Sequence, residues 1–344
     1  MHMADALLSP AVGGTMWVAT AGTIAYCAKK VQQELDDRKV PLMGVLGAFI
    51  FAAQMINFSI PATGSSGHLG GGMILAILLG PYAAFLTIAS VLTVQALFFA
   101  DGGLLALGCN IFNLGIFPCF IAYPLIYKPL AGNKQTPLRI GLGASIAAIV
   151  GLQLGALGVV FETVASGISE LPLSAFLSVM LPIHLAIGVV EGLVTTAVVT
   201  FIWRARPEIL ELTANSESLG NLAMGRIVAA IAIAAMVMGG ALSWFASSSP
   251  DGLEWSMAKV SGKAELEGPE KGLHHSLAAL QEKIAFLPDY GFKTTVPETT
   301  DETETPKWPD VDSGKTTSGL VGGALTLVLA LMIGMLLRKR RQTA

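Results

Sequence analysis

The feature that most constrains this chain is a series of long, nearly uncharged apolar blocks. Residues 11–28, 41–56, 71–100, 104–127, 140–161, 173–202, 224–245 and 319–337 are apolar over most of their length, and polar loops divide them. A run of about 18 or more such residues can cross the hydrocarbon core of a bilayer as a helix. Inside lipid a helix or a closed barrel is required, because nothing there satisfies free backbone groups. Composition agrees: 53% of the 344 residues are hydrophobic and 13% are charged, about half the charge of an average soluble domain. The expected fold is all-α, a polytopic helical bundle with about eight or nine transmembrane helices. A formal net charge of −3 says nothing about nucleic acid, but no Lys/Arg cluster is fit to track phosphates, so no nucleic-acid partner is expected. Membrane lipid is the expected surroundings.

Loop charges orient the spans. The first block ends at Lys29 and Lys30, and Arg38 and Lys39 precede the second. Basic loops stay cytoplasmic, which places the N-terminus and the Asn57–His68 loop together on the outer side of the cytoplasmic membrane. The start lacks a basic region and carries Asp5 before the first apolar run, so no cleaved signal is expected. The count then falters. The loop from Lys128 to Arg139 is also basic, yet only two blocks separate it from His68. Either Gly80-Pro81 divides block 71–100 into two short spans, or one segment re-enters without crossing. Arg338-Lys339-Arg340-Arg341 anchors the C-terminus in the cytoplasm. The expected division is a core of 1–206, a cytoplasmic linker of 207–218 and an accessory two-span hairpin of 219–344. Its exterior loop, 247–318, is polar, acidic in the middle and expected to be mostly flexible.

Two histidines carry the clearest chemistry. The N-terminal amine of Met1, the amide nitrogen of His2 and the His2 imidazole Nδ1 can close fused chelate rings around one metal ion. His68, in Thr63-Gly64-Ser65-Ser66-Gly67-His68-Leu69-Gly70-Gly71-Gly72, can supply a fourth nitrogen from the same side of the membrane. Four nitrogens in a plane suit Ni(II) or Cu(II) better than zinc, calcium or magnesium, and Co(II) fits with some geometric compromise. The ligands must shed protons, so affinity should rise with pH. The bland alternative is an exposed N-terminus and a glycine-rich hairpin whose histidine caps a helix. The residues alone leave both open.

Other polar residues in the blocks have weaker claims. Asn57, Ser65 and Ser66 can orient the His68 ring. Asn110 and Asn113 share a helix face, either for interhelical hydrogen bonds or to support the metal loop. His184 follows Leu181-Pro182, and Glu191 lies seven residues on, on the same helical face. A His–Glu contact that fixes a bent helix or docks a partner is the preferred account, and a ligand role is the other. His274-His275 reads as an incidental pair. Cys27, Cys109 and Cys119 sit inside apolar blocks without metal-ligand spacing and read as small hydrophobes.

Gly314-Lys315-Thr316 imitates the end of a phosphate-binding loop, but Pro309 stands where the opening glycine belongs. With no HExxH and no GxSxG elbow either, an enzyme is not expected. Met1-His2-Met3-Ala4-Asp5, the Asn57 to Gly72 loop, Gly108-Cys109-Asn110-Ile111-Phe112-Asn113-Leu114-Gly115 and Pro182-Ile183-His184 with Glu191-Gly192 together resemble the CbiM/NikM family. Its members are substrate-binding (S) components of energy-coupling factor (ECF) transporters for cobalt and nickel. The resemblance covers about residues 1–205, and Pro250-Asp251-Gly252-Leu253-Glu254-Trp255 makes the hairpin similar to a fused CbiN/NikN companion.

The resemblance implies a metal held by the amine of Met1, the amide and imidazole of His2 and the imidazole of His68. It implies no cofactor, Ni(II) or Co(II) as transported substrate, and ATP hydrolysis by separate subunits. Those partners are a transmembrane coupling (T) component and two ATP-binding cassette ATPases. The alternative is a self-sufficient secondary metal transporter, for which His184 and Glu191 are the only candidate coupling groups.

Overall fold

The computed structural model describes residues 2–34, 39–132, 136–169, 171–217, 219, 223–264, 266, 268–269, 271–293 and 308–342. The chain opens with α1 (Pro10–Glu34) and α2 (Lys39–Gln54), then a small antiparallel hairpin of β1 (Phe58–Ile60) and β2 (Ser65–Gly67). Next come α3 (Gly72–Leu79), α4 (Pro81–Phe98), α5 (Leu107–Ala131), α6 (Pro137–Ser166), α7 (Leu173–Ala205) and α8 (Pro207–Ala214). The remainder is α9 (Gly225–Gly240), α10 (Gly252–Ser261), α11 (Leu273–Ile284) and α12 (Ser313–Gln342). The chain is an all-α polytopic membrane protein.

Five helices among the described residues are long and apolar enough to cross a membrane: α4, α5, α6, α7 and α12. With α1 and the shorter apolar helices α2 and α9, eight of these helices are 16 residues or longer. Apolar residues cover α2 and α4 almost all round because both are enclosed by neighbours, whereas α6, α7, α9 and α12 keep exposed apolar faces. A helix in lipid gains nothing by hiding those faces.

Pro118 and Pro124 lie inside α5, whose middle, Phe112–Tyr127, widens to π geometry. Proline has no N–H and cannot close the ordinary i→i−4 bond, so the ladder there is rearranged.

The break at Gly80-Pro81 settles the count. Gly80 adopts φ +82, a region open to glycine, between α3 and α4. The Thr213 hydroxyl of α8 donates to the Leu78 carbonyl at 3.3 Å, so α3 ends at the pole where Val31, Lys39 and Thr213 gather. From there α4 climbs back to Asp101, which meets His2, and α5 descends again to Lys128. Three passes therefore separate His68 from Lys128. Eight residues of α3 span only about 12 Å. The buried, non-helical Leu69–Gly71 stretch extends that pass. Such backbone is tolerated at depth where protein groups satisfy it. Here the Gln54 amide donates to the Gly70 carbonyl at 2.9 Å, and the Glu191 carboxylate accepts the Gly70 and Gly71 N–H groups, each at 3.0 Å.

The accessory hairpin is built on α2. Gly44 and Gly322 let α12 pack against α2, where Leu331 and Phe51 fill the space a side chain would need. Within the hairpin, Gly239 of α9 and Gly319 of α12 cross backbone to backbone, the close approach small residues permit. The segment expected as a mostly flexible exterior loop contains α10 and α11 among its described residues. The physical reason is local: Asp251 caps α10 by accepting the Leu253 and Glu254 N–H groups, and Glu254 reaches back to the Asp251 N–H. This reciprocal box stabilises a short helix that apolar periodicity alone does not reveal. The acidic stretch 298–304 lies outside the described residues.

Candidate metal centre

The N-terminal strand is pinned before it reaches any functional atom. Asn110 of α5 grips Met3 from both sides: its Oδ1 accepts the Met3 N–H at 2.8 Å and its Nδ2 donates to the Met3 carbonyl at 3.2 Å. The Gly103 N–H donates to the same carbonyl at 3.0 Å, and Asp5 accepts the Ala106 N–H at 2.9 Å. Met3, Leu7 and Leu8 are buried in the core. His2 is thereby delivered to the loop that follows α4.

There the His2 ring stacks on His68, with centroids 4.9 Å apart and planes 22° apart. His2 Nδ1 lies 2.8 Å from Asp101 Oδ1. A carboxylate accepts, so Nδ1 is the donor; Nε2 is buried and has no hydrogen-bond partner. His68 Nδ1 donates to the Leu69 carbonyl at 3.1 Å, which leaves Nε2 as the basic nitrogen. That atom lies 3.9 Å from Asp251 Oδ2.

Electrostatics keep the site ready for a cation. Burial first, then nearby positive charge, pushes the His68 imidazole down to about 3. Burial alone would raise Asp101, but the His2 contact and the Tyr290 hydroxyl hold it well below the ordinary carboxylate value. Asp251 is also held low, against its burial, by neighbouring charge including His68 and by the Glu254 amide. His2 and His68 thus line a cavity of about 500 Å³ together with five acidic residues, Asp5, Asp101, Asp251, Glu254 and Asp289, and with Gln281 and Tyr290.

The expected site residues separate into two groups. His2 and His68 meet, and Asn110 holds the strand that carries His2. Ser66 donates its hydroxyl to the Ser249 carbonyl at 2.8 Å and its amide to Pro250 at 2.8 Å; the Ser65 hydroxyl donates to the Ser66 carbonyl at 3.1 Å. The Asn57 carbonyl accepts from Ser247 at 2.7 Å. Ser65 also reaches the Pro250 carbonyl at 3.4 Å, so all three residues fasten the accessory segment to the loop, rather than the His68 ring. Asn113 donates to Glu162 at 2.7 Å between α5 and α6, within the bundle. Met1 lies outside the described residues.

The expected His184–Glu191 contact is not formed. His184 Nδ1 donates to the Met180 carbonyl at 2.8 Å, while Glu191 turns to the Gly70 and Gly71 amides. The reason is the loop: two bare backbone N–H groups in the interior attract the carboxylate more strongly than a neutral ring does. Glu191 is therefore a loop clamp. The Nδ1 chelate expected of His2 would require that atom to leave Asp101.

Similarity to known proteins decides the family. The model of the cobalt uptake substrate-specific transmembrane region, CbiM, matches residues 2–209. The chain belongs to the CbiM family. A PDGLE domain matches residues 225–339. CbiM relatives include chains with both parts. One from Archaeoglobus fulgidus, assigned by name to fused nickel transport proteins of the NikMN type, is 36% identical over 68% of this chain and 75% of its own. The fused nickel transport protein NikMN of Rhodobacter capsulatus is 32% identical over 61% of this chain and 64% of its own. A crystal structure of a transition metal transporter shares the CbiM fold, with a TM-score of 0.54 and 32% identity, covering 61% of this chain and 96% of that one. The relatives of this CbiM chain are thus metal transport proteins rather than enzymes.

Reading the residues alone missed Asp101, Asp251, Gln281 and Tyr290. Asp101 reads as a turn residue in Asp101-Gly102-Gly103, and nothing in its neighbours points to His2. Asp251 had a signal: an aspartate two residues before a leucine and three before a glutamate is a helix start. A capped helix in an exterior segment is a reason to expect a fixed position for its cap.

Proposed function

We propose that this chain is the S component of an ECF transporter that takes up Ni(II), or Co(II), across the cytoplasmic membrane. The observation that carries the reading is the stacked His2–His68 pair, each ring with Nδ1 tied to an oxygen, beside Asp101 and Asp251. For His68, fixing Nδ1 by an outer hydrogen bond is how proteins prepare a histidine for a metal.

The proposed ligands are the Met1 amine, the His2 amide and imidazole, and the His68 imidazole. Their all-nitrogen plane favours Ni(II). For Nδ1 to take part, the His2 ring exchanges Asp101 for the metal. ATP hydrolysis belongs to two ATP-binding cassette subunits, joined to this chain through a T component. Lys29, Lys30, Lys39, Lys128, Arg204 and Arg206 belong to the pole opposite the histidines. Basic residues favour the cytoplasm, so the metal enters at the histidine pole and leaves at the basic one.

Equilibrium binding of Ni(II) to the purified chain tests this reading. Tight binding should vanish on His2→Ala, on His68→Ala and when one residue is added before Met1. Unchanged binding after that addition would remove the amine from the set. Uptake in cells should need the T component and ATPases; full accumulation by this chain alone would favour a secondary transporter.

A further inference from the structure

Beyond the paired histidines lies a third imidazole with no task in the fold. His184 is 1% exposed, its Nδ1 is spent on the Met180 carbonyl, and its Nε2 has no hydrogen-bond partner. An unpaired buried polar atom is destabilising, so its persistence calls for an explanation. The ring borders a second cavity, of about 10 Å³, with His68, Asp251, Gly67, Gly70 and Gly252. That volume is near the lower limit for one water; it would admit a metal ion stripped of most of its water.

His68 and Asp251 line both this small cavity and the large one that contains His2. They form the partition between the two. Gly252 keeps the His184 ring at that partition: a side chain there would begin 3.0 Å from His184 Cε1 and 3.3 Å from Nε2. Beyond His184 on α7 comes Glu191, whose oxygens are both engaged by the loop.

We propose that His184 is the next ligand after His68, forming a second, transient site for a divalent transition metal on the far side of the partition. The inference rests on the reading that such a metal is first held at His2 and His68. Transfer is ligand exchange. The bonds from the metal to the Met1 amine and to the His2 amide and imidazole break as the bond to His184 Nε2 forms, and His68 keeps its hold throughout. Each nitrogen retains its own electron pair; the His2 amide nitrogen takes back from water in the large cavity the proton it shed on binding, while His184 keeps its proton on Nδ1, donated to the Met180 carbonyl. Asp251, bordering both cavities, keeps a negative charge beside the ion on each side of the step. Among the described residues no three His, Cys, Asp or Glu groups form a ready cage.

The full chain, purified in detergent, provides the test, with Ni(II) for affinity and Co(II) for its ligand-field spectrum. In wild-type protein the tight phase is lost on His2→Ala, which checks the underlying reading by itself. The His2→Ala chain should retain a weaker phase whose Co(II) spectrum reports imidazole ligation. That phase should disappear in His2→Ala/His184→Gln and weaken about tenfold or more in His2→Ala/Gly252→Ala, where the ring is displaced. Gel filtration and thermal melting identify any variant that misfolds, and the glycine substitution probes the same ring without removing it. A residual phase indifferent to both second changes, or no residual phase, would overturn the role of His184. A tight phase indifferent to His2→Ala would instead overturn the reading beneath it.

Discussion

The CbiM part and the PDGLE part of this chain meet the same cavity in different ways. The CbiM part grips its components through buried side chains that bond from two directions: Asn110 on Met3, Glu191 on Gly70 and Gly71. The PDGLE part lies against the rim through separate bonds. The Ser247 amide donates to the Asn57 carbonyl, Leu287 to Phe98 and Asp289 to Phe99. Gln281 donates to the Ala96 and Gly102 carbonyls, each at 2.8 Å, and the Tyr290 hydroxyl donates to Asp101. Rim bonds can be exchanged for water one at a time, whereas breaking a buried grip strands polar groups. One part is built to position and the other to cover.

The largest effect expected from that contrast is in the histidines. Calorimetry should record a loss of Ni(II) affinity greater than about a hundredfold for His68→Ala or His2→Ala, since outer-shell partners alone are worth about 10–100-fold. Asn110→Ala comes next. It leaves the Met3 N–H without its acceptor, at about 1–3 kcal/mol in stability, and should lower affinity about tenfold or more by releasing His2. Unchanged affinity in Asn110→Ala would dissolve the distinction between the two parts. Tyr290→Phe and Gln281→Ala should be milder, shifting equilibrium affinity less than about tenfold while speeding metal release in stopped-flow chelation. Release at the wild-type rate in both would show that the PDGLE segment does not cover the site.

The last effect is on stability rather than affinity, and it is in pH. His68 is depressed from the ordinary imidazole value to about 3, so between those values the unfolded chain binds a proton that the folded chain refuses. Stability conferred by the neutral ring is complete above about pH 6.5. It declines as pH falls toward 3, because the unfolded state there binds more protons. Thermal melting from pH 7 to 4 should show that slope, and His68→Gln should flatten it.

Much of this architecture is legible in the sequence. Long uncharged blocks dictate membrane helices, and two histidines divided by two spans with a basic loop between them belong at one pole. What cannot be read there depends on tertiary partners. The fate of block 71–100 turns on Gly80 and on Gln54 and Glu191 satisfying an irregular backbone, and neither side chain announces that task. His184 and Glu191 share a helix face, but periodicity says nothing about which neighbour each will choose. Asp101 and Tyr290 are 189 residues apart in sequence, and no local pattern links them.

The loop bearing His68 is slung between two helices. At Gly70 it is held on one side by Gln54 of α2 and on the other by Glu191 of α7. In mechanical terms it is a tie between two beams, with the imidazole mounted two residues from its midpoint. A shift of α7 along α2 must either snap one fastening or drag the ring with it. Force applied anywhere along those helices, even at the opposite pole, has a short and stiff route to the atom that would hold the cargo.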